Sequence, residues 1–186
     1  KNFLFLFIPY SIRILFNSII MACNHKTDCS SCSSDSESLN CIPEKEVFQR
    51  KKILIYCTGN SCRSQMAEGW LTSFDDRLEV YSAGTKPEKK LSPFAMKVME
   101  EVGIDISYHY PKSVQNFVNQ DFDYVISVCD NARNICPTFI GNVKKYLHIR
   151  FDDPADASGS EEEILMVYRK VRDLIRDDFY IFFKQL

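Results

Sequence analysis

The pattern of apolar and polar positions divides the chain near residue 50. Residues 1–20, KNFLFLFIPYSIRILFNSII, are strongly apolar but interrupted by Pro9, Arg13 and Asn17. They fall short of the roughly 20 uninterrupted apolar residues that a membrane-spanning helix needs. Residues 22–50 are dominated by Ser, Asn, Asp, Glu and Lys, which predicts a mobile polar tail unable to build a core. From Lys51 onwards, short β-rich runs alternate with stretches of helical period. Lys52-Ile53-Leu54-Ile55-Tyr56 reads as a buried strand. Further strands are predicted at Leu78–Ser82, Asp123–Val128 and Tyr146–Ile149. Met66, Ala67, Trp70, Leu71 and Phe74 recur at helical spacing. Ser92-Pro93 starts a second helix with apolar face Ala95, Val98, Met99 and Val102, and Gly103 ends it. Ser160 and Glu163 form a capping box that opens a long helix to about Phe183, with a buried stripe of Ile164, Val167, Tyr168, Val171, Leu174 and Ile175. This alternation predicts an α/β fold, a three-layer sandwich with a four-stranded parallel sheet and helices on both faces. Ligands in such sheets bind beyond the carboxyl ends of the strands.

The organisation is therefore a leader and polar tail over 1–50, then one domain over 51–186, with no internal repeats. A hydrophobic fraction of 45% and a charged fraction of 26% exclude a globally disordered or collagen-like chain. Lys plus Arg at 23 against Asp plus Glu at 25 gives no basic excess for nucleic acid. Eight cysteines in a small secreted chain would imply a disulfide scaffold, but here four lie in the tail and four in the domain. For residues 1–20 the preferred reading is translated sequence upstream of a start at Met21. The competing readings are a non-native artefact and an export signal. In the last, Ile20-Met21-Ala22-Cys23 resembles a lipoprotein site that would anchor the chain to a membrane through Cys23. Cys29-x-x-Cys32, with Cys23, His25 and Cys41, supplies one knuckle where a structural zinc site shows two, so no metal is expected. No role is read for Cys23, Cys29, Cys32 or Cys41.

The strongest chemical signal closes the first strand: Cys57-Thr58-Gly59-Asn60-Ser61-Cys62-Arg63-Ser64. A strand-to-helix turn offers free backbone N–H groups and the positive end of a helix dipole to an anion. Gly59 lets the backbone curl into an anion-binding nest over residues 58–63. Arg63 adds a planar fork for two oxygens of a tetrahedral oxyanion. Cys57 is placed there as a nucleophilic thiolate, and Ser64 can donate a hydrogen bond to it. Asn60 can hold the loop shape through bonds to the backbone.

These residues resemble the phosphate-binding loop of the low-molecular-weight protein tyrosine phosphatase superfamily, and CTGNSCRSQMAEGW is most similar to its thioredoxin-coupled arsenate reductase branch. The resemblance spans about Lys51 to Phe183. It implies that Asp153, in Phe151-Asp152-Asp153-Pro154, is the general acid. It also implies that Cys129 and Cys136 are redox partners of Cys57. Cys57 would attack arsenate, Cys129 would release arsenite by forming a Cys57–Cys129 disulfide, and Cys136 would then form Cys129–Cys136, reduced by thioredoxin. Residues 130–138 are expected to rearrange during this relay. Loop support is expected from Asn60, Glu68, Ser82 and Lys112, the last replacing with its ammonium the potassium site of some relatives. No other cofactor is expected.

The alternative is a tyrosine phosphatase using Cys57, Arg63 and Asp153 alone, with some phosphatase activity expected in either case. The absence of an aromatic residue in Ala155–Gly159 favours a small inorganic oxyanion over phosphotyrosine. A non-catalytic anion sensor is disfavoured by the intact triad. Cys62 is open between a protective disulfide with Cys57 and a structural role. A monomer is expected, in the cytoplasm where thioredoxin operates, unless the Cys23 anchor applies.

Overall fold

Residues Ile53 to Cys57 are all buried, because the first strand runs through the middle of the sheet. The computed structural model describes residues 50–129 and 137–186. The readings placed on the leader, on Cys23, Cys29, Cys32 and Cys41, and on Cys136 lie outside the described residues. Strand β1 (Lys52–Cys57) leads to helix α1 (Arg63–Phe74), then β2 (Glu79–Gly84), α2 (Pro93–Glu100), β3 (Phe122–Ser127), β4 (Val143–His148) and α3 (Glu161–Phe183). The sheet order is β2-β1-β3-β4 and every pairing is parallel. This is the four-stranded parallel α/β sandwich that the alternation predicts.

All three α-helices among the described residues contribute to one core, where Met66, Leu71, Val98, Met99, Leu165, Ile175 and Phe179 pack on Ile53 and Ile55. The opposite face is covered more thinly. Leu54, Tyr56 and Val125 meet Val114 and Phe117 at a 3-10 turn, with Phe139 packed against them. Burying a Leu or Ile side chain is worth about 1.5–3 kcal/mol each, so the three such residues of β1 are a principal anchor of the fold.

Two expectations shift in detail. β4 starts at Val143 rather than Tyr146, and β2 continues to Gly84. The α3 stripe is rotated: Leu165, Tyr168, Val171, Arg172, Ile175, Phe179 and Phe182 are buried, whereas Val167 and Leu174 are exposed. Arg172 belongs to the buried face because its guanidinium donates to Val98 O at 2.8 Å and pairs with Glu101. The capping box is formed, with Glu163 N donating to Ser160 Oγ and Ser160 N to Glu163 Oε2. No described helix is long and apolar enough to cross a membrane.

Candidate active site

At the carboxyl edge of the sheet, β1 ends on Cys57 and α1 begins at Arg63. The loop between them is braced from outside at every carbonyl. Cys57, Thr58, Gly59, Ser61 and Cys62 accept from the N–H groups of Thr85, Lys86, Glu88, Ser92 and Met66 at 2.8–3.1 Å, and Asn60 O accepts from Gln65 Nε2 at 3.0 Å. In a planar trans peptide the N–H points away from the carbonyl, and no peptide here is cis. Outward carbonyls therefore turn the amides of 58–63 inward, which is the geometry of an anion nest at a helix N-terminus. Asn60 makes the turn with φ +49°, a left-handed conformation Asn tolerates well. The brace also requires Gly84, where a Cβ would lie 2.7 Å from Thr58 O and 3.0 Å from Asn60 Cβ.

Cys57 Sγ receives Asn60 N at 3.1 Å and lies 3.0 Å from Ser64 Oγ. The direction of that second bond follows from the surrounding donors. Asn60 Oδ1 accepts from Lys112 N at 2.7 Å and Gln65 Nε2 at 3.2 Å. Its Nδ2 must then supply both protons, one to Ser64 Oγ at 2.8 Å and one to Ser82 Oγ at 2.9 Å. Ser82 donates onward to Glu68 Oε2 in a short contact. Ser64, already accepting from Asn60, has its own proton available for Cys57. Both expected loop residues Asn60 and Ser64 are fully buried here.

Arg63 crosses to the chain after β4, where NH1 donates to Phe151 O at 3.1 Å and NH2 makes a short ion pair with Asp153. Asp153 Oδ1 also accepts from Ala155 N at 3.1 Å. A carboxyl is thus held against the loop's arginine, and among the described residues three of the five guanidinium N–H groups are left for another acceptor. Cys62 is buried on the other flank, 3.3 Å from Tyr168 OH, which itself lies 3.1 Å from Ser92 Oγ. Burial pushes the Cys62 thiol up, only partly offset by Tyr168, and burial likewise raises the Tyr168 phenol.

Beneath the loop, Lys112 Nζ lies 3.5 Å from Glu68 Oε2 and 5.1 Å from the Tyr110 ring. His109 Nδ1 is 3.0 Å from Gln65 Oε1 and 3.8 Å from Glu68 Oε2. Burial lowers the His109 pKa, with Glu68 opposing. Cys129 is buried in the same core cluster as Cys57. Their strands are direct neighbours, with Tyr56 paired to Ser127 and Val128 N donating to Tyr56 O at 3.0 Å. Thr58, Gly59, Asn60, Ser61, Cys62, Arg63 and Ser64 thus meet Asp153 from one side and Glu68, Ser82 and Lys112 from below, with Cys129 one strand away. Among the described residues, no group of three or more His, Cys, Asp or Glu could hold a metal ion.

Sequence reasoning missed three contributors: Gln65, Tyr168 at the loop's flank, and the Thr85–Ser92 segment that braces it. Gln65 sits inside a helical pattern and its partner Tyr110 O is 45 residues away, so no local signal marks it. Tyr168 reads simply as one member of an apolar stripe.

Comparison with known proteins agrees with this geometry. The arsenate reductase of Halalkalibacterium halodurans is 45% identical over 129 residues, covering 69% of this chain and 91% of that protein. A solved arsenate reductase in its phosphate-binding state superposes with a TM-score of 0.63 at 33% identity, covering 73% of this chain and 98% of the other. The low molecular weight protein tyrosine phosphatase from T. tengcongensis gives 0.61 at 25% identity, covering 73% and 99%. The profile of the low molecular weight phosphotyrosine protein phosphatases matches residues 52–186, the whole sheet and its helices. With the braced loop, the arginine and the facing carboxyl all inside that span, the chain belongs to the low molecular weight phosphotyrosine protein phosphatase family.

Proposed function

We propose that this protein reduces arsenate to arsenite through a relay from Cys57 to Cys129 to Cys136, with thioredoxin as the reductant. The observation that carries the proposal is Cys129, buried beside the nucleophile's strand end in one core cluster. Phosphate-ester hydrolysis through Cys57, Arg63 and Asp153 needs no second thiol. The arsenate reductase relatives support the same reading. In the first step Cys57 Sγ forms a bond to arsenic and one oxygen leaves as water, protonated by Asp153. Inward amides of 58–63 and Arg63 stabilise the anion. Cys129 thiolate then attacks Cys57 Sγ, the S–As bond electrons go to arsenic, and arsenite leaves as As(III). Two thiols are oxidised to one disulfide, which balances the two-electron reduction. Cys136 transfers that disulfide to Cys129–Cys136, and a dithiol reductant of the thioredoxin type returns both to thiols. Such a reductant operates in a reducing compartment, which favours the cytoplasm, and the enzyme is read as a monomer. The Lys112 ammonium beside Glu68 supplies the charge a potassium ion would bring, so no added cation is needed.

Cys57, Arg63 and Asp153 also suffice for phosphate-ester hydrolysis, and the Arg63–Asp153 pair favours that as a secondary activity. Cys129→Ser separates the two. It should abolish arsenate reduction and spare hydrolysis of a chromogenic phosphate ester. Retention of arsenate turnover, or no Cys129–Cys136 bridge by peptide mapping after turnover, overturns the relay.

A further inference from the structure

Five of the six loop carbonyls between Cys57 and Cys62 are braced by backbone N–H groups, which no side-chain substitution removes. The exception is Asn60 O, at the left-handed turn, and its brace is the side chain of Gln65. Gln65 is fully buried in the first turn of α1. Its Nε2 faces acceptors only: Asn60 O at 3.0 Å, Asn60 Oδ1 at 3.2 Å and Tyr110 O at 3.0 Å. This fixes the amide orientation, so Oε1 accepts and His109 Nδ1 carries the proton of their 3.0 Å bond. Gln65 thereby ties the Asn60 peptide to the Tyr110 segment, and Lys112 N–H ties the same asparagine from the same segment.

We infer that Gln65 is a positioning residue of the oxyanion site: by holding Asn60 O outward it keeps the following amide, that of Ser61, directed into the nest where an anion binds. The inference rests on Cys57 and its loop being the oxyanion site, as proposed above, and is independent of which oxyanion is physiological. The peptide carrying Asn60 O and Ser61 N–H turns as one rigid unit, so releasing the carbonyl lets the amide rotate away from the nest. Simple helix packing does not require such a donor. A hydrophobic side chain of equal length would fill the same volume.

The test uses inorganic phosphate to protect Cys57 from iodoacetamide, read by peptide mass mapping, on the wild type, Gln65→Met and Gln65→Glu. Gln65→Met keeps length and removes the donors. Gln65→Glu keeps the shape and presents a carboxylate to three acceptors. Thermal transitions first establish the folded fraction of each. In both variants the phosphate concentration giving half protection should rise about tenfold, as expected for one lost hydrogen bond to a charged group. Unchanged protection in the folded variants overturns the inference. So does a rise with Gln65→Glu alone, which would report added charge and not a lost brace. Failure of phosphate to protect wild-type Cys57 would instead overturn the oxyanion-site reading itself.

Discussion

Asn60→Asp replaces one NH₂ group by an oxygen and should disarm the proposed nucleophile, Cys57, while leaving the fold in place. Aspartate matches asparagine in shape and tolerates the same left-handed turn. Its first oxygen continues to accept from Lys112 N and Gln65 Nε2. The second oxygen replaces the NH₂ group that donates to Ser64 Oγ at 2.8 Å and Ser82 Oγ at 2.9 Å. Those two hydroxyls now meet an acceptor. Ser64 has one proton, and the introduced carboxylate competes for it with Cys57 Sγ at 3.0 Å. Cys57 then keeps only the backbone donor of residue 60. A hydrogen bond to a charged group is worth about 1.5–3 kcal/mol. At about 1.4 kcal/mol per tenfold, the loss is roughly 10- to 150-fold in rate. The assay is kcat for a chromogenic phosphate ester and for arsenate, each with a thermal melt of the same sample. The deficit should ease as pH falls, because the introduced carboxyl, once protonated, can again donate to Ser64. A variant within about twofold of wild type would refute the donor chain as the support of Cys57 Sγ.

Three further outcomes follow from the geometry. Gly84→Ala drives a methyl to 2.7 Å from Thr58 O, and overpacking against backbone costs about 1–3 kcal/mol, so the melting temperature should drop by several degrees and phosphate protection of Cys57 should weaken. Exchanging sodium for potassium should leave arsenate turnover unchanged, whereas a clear rate increase would contradict Lys112 as the resident cation. His109 faces Glu68, Lys112 and Asp105 and has a pKa below its ordinary 6.5, so below pH 6.5 the unfolded chain binds more protons than the folded one. Stability should therefore fall as pH drops from 6.5, urea titrations should show it, and His109→Gln should flatten that slope.

Much of this architecture is legible before any coordinates are known. The run Lys52–Tyr56 is apolar on both faces because its strand is central, and the loop chemistry follows from Cys57, Gly59, Asn60 and Arg63 sitting at a strand-to-helix turn. β4 is less legible, because it lies at the end of the sheet order and carries exposed Lys144, Lys145 and Tyr146 instead of an apolar run. The α3 stripe is ambiguous because Met166, Val167, Leu174 and Ile181 place apolar residues on the exposed side, while a buried Arg172 looks polar on paper. Gln65 and the Thr85–Ser92 brace cannot be read at all. Their partners lie far along the chain or are backbone groups, and backbone partners leave no mark in side-chain type.

The outward bracing of the loop has a consequence for selectivity. A nest whose carbonyls are all tethered to the scaffold already has its shape, so a tetrahedral anion costs it little reorganisation on arrival. The amides and Arg63 address only the outer oxygens, so they read the charge and tetrahedral arrangement of those oxygens and make no contact with the central atom. Phosphate and arsenate should therefore compete on nearly equal terms for entry. In the proposed relay, discrimination then falls to the second thiol: Cys129 breaks an S–As adduct with arsenic leaving as the reduced species, whereas an S–P adduct offers phosphorus no comparable exit and waits for water. On that proposal, the choice of substrate is made by the fate of the covalent intermediate, one strand away from where the anion binds.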